Sequence, residues 1–273
     1  MRLLFLGDVV GKSGRDVVAN HLYRLKKELQ IDFCIVNGEN AANGFGVNEK
    51  IIDGFISQGA NVVTCGDHTF DQKETKFFIG NRYEMLRPLN MPSQLPGKGF
   101  NLYSVQDNKK ILVVHLMCQL FMRFQVNCPF EAITNLLTKY QLGKDVNYIF
   151  VDLHGEATSE KMAMAQYLDG KVSAVCGSHT HIPTSDVQVL PKGTAYQTDT
   201  GMCGDYDSVI GFRKDISVPN FLNKIRGEQK MQPAESDGTL CGFVAELDEK
   251  TGLATKADYL RVGGRLRTHM PVL

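Results

Sequence analysis

The chain has 273 residues, of which 30 are basic and 30 acidic, with 43% apolar and 22% charged side chains. That balance provides a sizeable core, fits one domain over residues 1–273, and excludes a chain that stays disordered along most of its length. A formal net charge of zero excludes the electrostatic footprint of a general nucleic-acid binder, so a small-molecule ligand is expected and a stable nucleic-acid complex is not.

The first apolar run, residues 3–6, is closed by Asp8 and is too short for a secretory signal, and no window reaches the length of a membrane span. Seven scattered cysteines without a CxxC pair indicate neither a disulfide framework nor a zinc ribbon, which makes a reducing cytoplasm the expected compartment. Cys34, Cys65 and Cys176 lie in strand-like runs and read as small buried hydrophobes.

Apolar, β-branched runs at 3–6, 33–36, 62–65, 111–116, 148–153 and 172–176 predict buried strands. Residues 13–30 predict an amphipathic helix, with Val17, Val18, Leu22, Leu25 and Leu29 on one stripe and Ser13 as a candidate cap. Strand, helix, strand in succession points to parallel βαβ units in an α/β layered fold. From about residue 187 the strand candidates 187–190, 194–198, 242–247 and 257–262 predict an antiparallel second half. Residues 88–99 and 224–238 read as loops.

The chemistry lies just past the ends of five of these strands: Asp8, then Glu39 and Asn40, then Asp67 and His68, then His154, then His179 and His181. In open α/β sheets ligands bind beyond the carboxyl ends of the strands, so these side chains would converge if the strands are parallel neighbours. Each group alone is more often an ordinary loop or core residue. Four of seven histidines at strand ends, accompanied by four oxygen-bearing side chains, are hard to ascribe to loop composition. His21, on the predicted helix, and His269, near the C-terminal end, read as ordinary core or surface residues, and His115 leans structural. A mixed oxygen and imidazole set without thiolate suits manganese, iron or zinc in a catalytic setting, and eight groups suit two ions bridged by a carboxylate.

The segments GDVVGKSGRD, VNGENAANGFG, GDHTFD, HGEATSEK, GSHTHIPT and TDTGMCGDYDSVIG together resemble the calcineurin-like metallophosphoesterases, and most closely their bacterial YmdB-like branch, over nearly the whole chain. The resemblance implies a four-layer α/β/β/α sandwich, helices around two sheets, with a dinuclear metal site at the strand ends. Asp8, Glu39, Asn40 and His181 would hold one metal. Glu39 as the bridge, with Asp67, His154 and His179, would hold the other. Iron or manganese is the expected pair, with zinc as an alternative. His68 matches the family histidine that donates a proton to the leaving oxygen or steadies the transition state. The two cations would acidify a water for in-line attack on phosphorus. The implied substrates are phosphodiesters, cyclic nucleotides of the 2′,3′ or 3′,5′ kind, and a homo-oligomer is implied as well.

Two positions depart from the superfamily pattern. Asp8-Val9-Val10 lacks the histidine of the usual D-x-H, so Asn40 fills that role, and Asp67 stands where the family has asparagine. The added charge would hold the second metal more tightly and reduce its Lewis acidity. The stretch LMCQLFMRF, residues 116–124, is more apolar than its counterpart in relatives, which reads as altered substrate preference or as a buried loop. A P-loop nucleotidase is the first rival, because GDVVGKS resembles a phosphate-cradling loop, but only three residues separate its glycines. The second is a catalytically weak or inactive regulatory protein of the same fold.

Overall fold

Each buried strand serves two cores at once. In β1 (Arg2–Leu6), Leu3 and Phe5 face one side and Leu4 and Leu6 the other, and all four are fully buried. The computed structural model describes residues 1–224 and 229–273. After β1 come β2 (Asp8–Val9), α1 (Gly11–Glu28), β3 (Phe33–Asn37), α2 (Glu49–Ser57), β4 (Val62–Thr64), α3 (Thr75–Phe78) and β5 (Met85–Leu86). Next are β6 (Phe100–Ser104), β7 (Lys110–Met117), α4 (Pro129–Leu137), β8 (Tyr148–His154), α5 (Thr158–Leu168) and β9 (Ala174–Ser178). The last elements are β10 (Gln188–Val189), β11 (Ala195–Gln197), β12 (Met202–Cys203), α6 (Lys214–Asn223), β13 (Leu240–Leu247) and β14 (Ala254–Val262).

One six-stranded sheet has the order β14-β13-β1-β3-β4-β5 and the other β10-β11-β9-β8-β7-β6, while β2 pairs with β12. The strands β1, β3, β4 and β5 run parallel, as do β7, β8, β9 and β11. Leu3, Phe5, Phe33 and Ile35 pack between the sheets against Ile111, Val113, Tyr148 and Phe150. The rings of Phe5 and Phe150 meet at 5.2 Å across this interface. Leu4, Leu6, Cys34 and Val36 instead face Val18, Leu22 and Leu25 of α1 and Phe55 of α2. On the far side, Leu112, Val114, Ile149 and Val151 face Ile133 of α4 and Met164 and Leu168 of α5. These three cores between four layers make the α/β/β/α sandwich that the motifs imply.

Several local expectations are corrected. Helix α1 starts at Gly11, its N-cap Val10 makes no side-chain cap bond, and Ser13 is drawn off to donate to the Ser236 carbonyl at 2.7 Å. β9 begins two residues later than expected and reaches Ser178. The second half is only partly antiparallel. β10 pairs antiparallel with β11, and β13 with β1 and β14. The chain reverses into β10 and again at the 190–194 turn, and two reversals bring β11 back parallel to β9. Residues 88–99 carry no regular element, and Arg87 ties them down by donating to the carbonyls of Pro88, Leu95 and Pro96 at 2.8, 3.1 and 3.0 Å. Of the loop expected at 224–238, residues 225–228 lie outside the described residues. Among the described residues no helix is long and apolar enough to cross a membrane.

Candidate metal centre

The parallel strands of both sheets end at one edge of the sandwich, and the eight singled-out side chains gather there. The five strands are thus not neighbours in one sheet, as the simple crevice rule would have it. β1, β3 and β4 belong to one sheet and β8 and β9 to the other, so the site straddles the seam between them. Asp8, Glu39, Asn40, Asp67, His154 and His181 are all buried, and His179 is partly so. Glu39, Asp67, His154 and His179 each bring one donor atom within 4.8 Å of the others, and Asp8, Glu39 and His181 do the same. Glu39 is common to both groups.

Each histidine is oriented by a partner on its far nitrogen. His154 Nδ1 lies 3.0 Å from Ser178 Oγ, which itself donates to Asp152 Oδ1 at 2.7 Å, so the hydroxyl accepts from Nδ1 and Nε2 points inward. His181 Nδ1 donates to the Ile210 carbonyl at 2.7 Å, leaving Nε2 toward Asn40 Oδ1 at 3.3 Å. Asn40 Nδ2 donates to the Gly44 carbonyl at 3.0 Å, which turns the amide oxygen to the site. His179 Nε2 faces Glu156 Oε2 at 3.4 Å and its Nδ1 faces His154 Nε2 at 3.1 Å. His179 and His181 have φ of 100° and 66°, unfavourable for side chains with a Cβ and held here by the surrounding structure.

This donor set fits a cation. His154 Nε2 stands 3.2 Å from Glu39 Oε1, 3.1 Å from Asp67 Oδ1 and 3.1 Å from His179 Nδ1, and a single proton serves only one of these contacts well. A cation amid these nitrogen and oxygen donors satisfies them together. Burial pushes the Asp8 carboxyl up to about 6 despite the opposing pull of His181 and His154. Burial also works to raise Glu39 and Asp67, but neighbouring histidines, His154 foremost, outweigh it and hold both below the usual carboxylate range. Burial works to lower His154, yet Glu39 and Asp67 raise it well above an ordinary histidine. The negative charge that keeps this proton is available to a metal ion instead. Gly66 is part of the cradle, since a Cβ there would strike Glu39 Oε2 and His154 Nε2.

His68 sits beside these groups rather than among them. Its Nδ1 lies 2.7 Å from Asp71 Oδ2, its Nε2 3.8 Å from Asp67 Oδ2, and its ring meets Phe45 edge-on at 5.1 Å. Burial works to lower its pKa, but Glu39, Asp67 and Asp71 together raise it, which favours the protonated form.

The remaining candidates do not join this centre. His115 is buried with Nδ1 3.2 Å from the Asp152 carbonyl, and burial pushes its pKa down to about 3. His269 stacks on Tyr259 at 3.9 Å, away from the centre, and His21 lies on α1 beside Arg24. Lys12 is exposed and pairs with Asp16 on α1, which is not a phosphate cradle. Residues 119–124 are not a buried loop: Leu120, Phe121 and Phe124 are exposed, and Glu160 holds the strand exit by accepting from the N–H groups of Gln119 and Leu120 at 2.9 Å each. Sequence reasoning missed Asn37, Asp152, Ser178, Lys161 and Asp199, all buried polar side chains around the ligating groups. A polar residue inside an apolar strand, as in YIFVDLH, was the available signal.

Known proteins place the chain. A 2′,3′-cyclic-nucleotide 2′-phosphodiesterase of Bacillus subtilis is 41% identical over 262 residues, covering 96% of this chain and 97% of that protein. A crystal structure described as a novel phosphatase from Mycoplasma pneumoniae superposes with a TM-score of 0.89 at 33% identity, covering 96% of this chain and 93% of that one. A hypothetical protein from Thermus thermophilus superposes with a TM-score of 0.89 at 36% identity, covering 97% of this chain and 100% of that one. The family described as YmdB-like protein matches residues 4–260, and this chain belongs to it.

Proposed function

We propose that the chain is a dinuclear-metal-dependent phosphodiesterase that opens cyclic nucleotides, those with a 2′,3′-cyclic phosphate first, and that residues 1–273 work as one catalytic domain. The observation that carries this reading is the pair of buried donor groups sharing Glu39, with His68 alongside, its Nδ1 2.7 Å from Asp71 Oδ2. The Bacillus subtilis relative supports the substrate class.

In this reading Asp8, Glu39, Asn40 and His181 hold one ion, and Glu39, Asp67, His154 and His179 the other. The oxygen and imidazole set without thiolate suits iron or manganese, with zinc within its range. When bound, the two ions supply an acidified water and neutralise charge on the phosphoryl oxygens. Asp71 fixes His68 through Nδ1, and Nε2–H, 3.8 Å from Asp67 Oδ2 and so beyond hydrogen-bond reach of it, is left to face the substrate. As the new P–O bond forms and the ester P–O bond breaks, His68 gives this proton to the departing oxygen. The free cysteines suit a reducing cytoplasm, which we infer as the compartment.

The test is hydrolysis of 2′,3′- and 3′,5′-cyclic nucleotides by metal-stripped protein resupplied with manganese or iron, beside Glu39→Ala. Metal-dependent turnover that Glu39→Ala lacks is expected. Absence of turnover with both ions confirmed in place would sink the enzymatic reading and leave a metal-binding regulator of the same fold.

A further inference from the structure

A cavity of about 970 Å³ opens beside the metal centre, with Phe45, Gln72, Arg123, Ile210, Phe221 and Lys230 in its wall. It is joined to the centre at two points. The Phe45 ring touches His68, and the Ile210 carbonyl holds His181. Its volume lies at the upper end of the range for small-ligand sites, roughly 300–1,000 Å³. Arg123 and Lys230 stand on its wall, and neither forms an ion pair with a carboxylate among the described residues.

We propose that this cavity receives the 3′ end of a single-stranded RNA fragment whose terminal 2′,3′-cyclic phosphate enters the metal centre, so that oligoribonucleotide ends are better substrates than free cyclic mononucleotides. The inference rests on the phosphodiesterase reading and deepens it. A cyclic mononucleotide carries one phosphate, which the metal centre takes, and that leaves Arg123 and Lys230, which form no ion pair with a carboxylate among the described residues, to meet a second phosphate. An oligonucleotide brings a further phosphodiester for each residue it adds. The exposed Phe221 offers a ring face on which a base stacks, the sequence-tolerant mode used for single strands, while Phe45 is packed against Phe212 at 5.3 Å and forms the wall toward His68.

The experiment compares the manganese-loaded enzyme on adenosine 2′,3′-cyclic phosphate and on the dinucleotide ApA ending in a 2′,3′-cyclic phosphate, with Arg123→Ala/Lys230→Ala as the variant. One stacked base and one neutralised phosphate give the dinucleotide an expected advantage of about tenfold or more in kcat/KM, mostly through KM. The double variant loses most of that advantage, and rising salt erodes it in the wild type. Equal kcat/KM on the two substrates in the wild type, or equal losses on both in the variant, would overturn the proposal while leaving the phosphodiesterase reading intact. No metal-dependent hydrolysis of either substrate would remove the phosphodiesterase reading and this inference with it.

Discussion

Ser178 Oγ lies 3.0 Å from His154 Nδ1 and donates its own hydrogen bond to Asp152 Oδ1 at 2.7 Å, so one hydroxyl decides which nitrogen of His154 faces Glu39 and Asp67. Asn37 Nδ2, 3.2 Å from Asp152 Oδ2, steadies the same carboxylate. Ser178→Ala is therefore expected to weaken metal binding about 10–100-fold, the usual cost of losing such an orienting partner. Calorimetric titration of the stripped protein with manganese checks it, and an unchanged affinity would leave Ser178 a packing residue. The same titration at lower pH is expected to show weaker binding, because the metal must displace the proton that Glu39 and Asp67 hold on His154.

His68 is assigned the role of proton donor, so His68→Ala is expected to lower kcat by about 10²–10⁴ with a smaller effect on metal content. Asp71 gives a subtler test. It is among the carboxylates that raise the pKa of His68 against the effect of burial. Removing its charge in Asp71→Asn lowers that pKa, the acid form is lost at a lower pH, and the alkaline limb of the kcat profile moves toward acid. A limb that stays in place would show that some other group donates the proton.

Asp67 brings a full negative charge to the centre, and its two oxygens divide their work. Oδ1 faces His154 and His179 at 3.1 and 3.5 Å, and Oδ2 faces His68 at 3.8 Å. Asp67→Asn is expected to raise the manganese concentration needed for half-maximal activity and to increase kcat several-fold at saturation, through greater Lewis acidity. Metal content and turnover measured together decide the matter. If neither moves, the extra charge has no catalytic meaning.

The sequence made the strand ends legible because Asp8, Glu39, Asp67 and His154 each come close behind an apolar run, and that adjacency is local information. The partition of those runs between two sheets was not legible from the runs themselves. Leu3–Leu6 is apolar on both faces, so nothing in it says that Leu3 and Phe5 meet the second sheet while Leu4 and Leu6 meet helix α1. The supporting polar residues were hidden for a different reason. Lys161 lies in HGEATSEK, which reads as a solvated helix start, and only the tertiary fold shows that it is wholly buried against Asp199. Ser13 shows the converse, a favourable capping residue that the Ser236 carbonyl claims instead. The walls of the cavity beside His68 come from segments as distant as Phe45, Arg123 and Lys230, and spacing along the chain carries no trace of that meeting.

Lys161 donates to Asp199 Oδ2 at 2.7 Å and to the Ser178 carbonyl at 2.8 Å, while Asp199 accepts from the N–H of Thr180 at 3.1 Å and of Gly201 at 2.9 Å. The pair thereby pins the turn that forces His179 and His181 into positive φ. Burial works to raise the Asp199 pKa, and Lys161 outweighs it, holding the carboxyl below its ordinary value. A depressed carboxylate pKa contributes stability that is present above the unfolded value of about 3.9 and is lost as pH falls through the folded value. Asp199→Asn leaves a buried ammonium without its counter-charge and is expected to cost about 3–5 kcal/mol at neutral pH. It is also expected to remove part of the acid sensitivity, so that the stabilities of wild type and variant draw together below about pH 4. Urea unfolding at pH 7, 5 and 3 measures both effects. A gap that stays constant from pH 7 to pH 3 would mean that Asp199 acts by shape and hydrogen bonding alone, and that its charge does not hold the histidine turn.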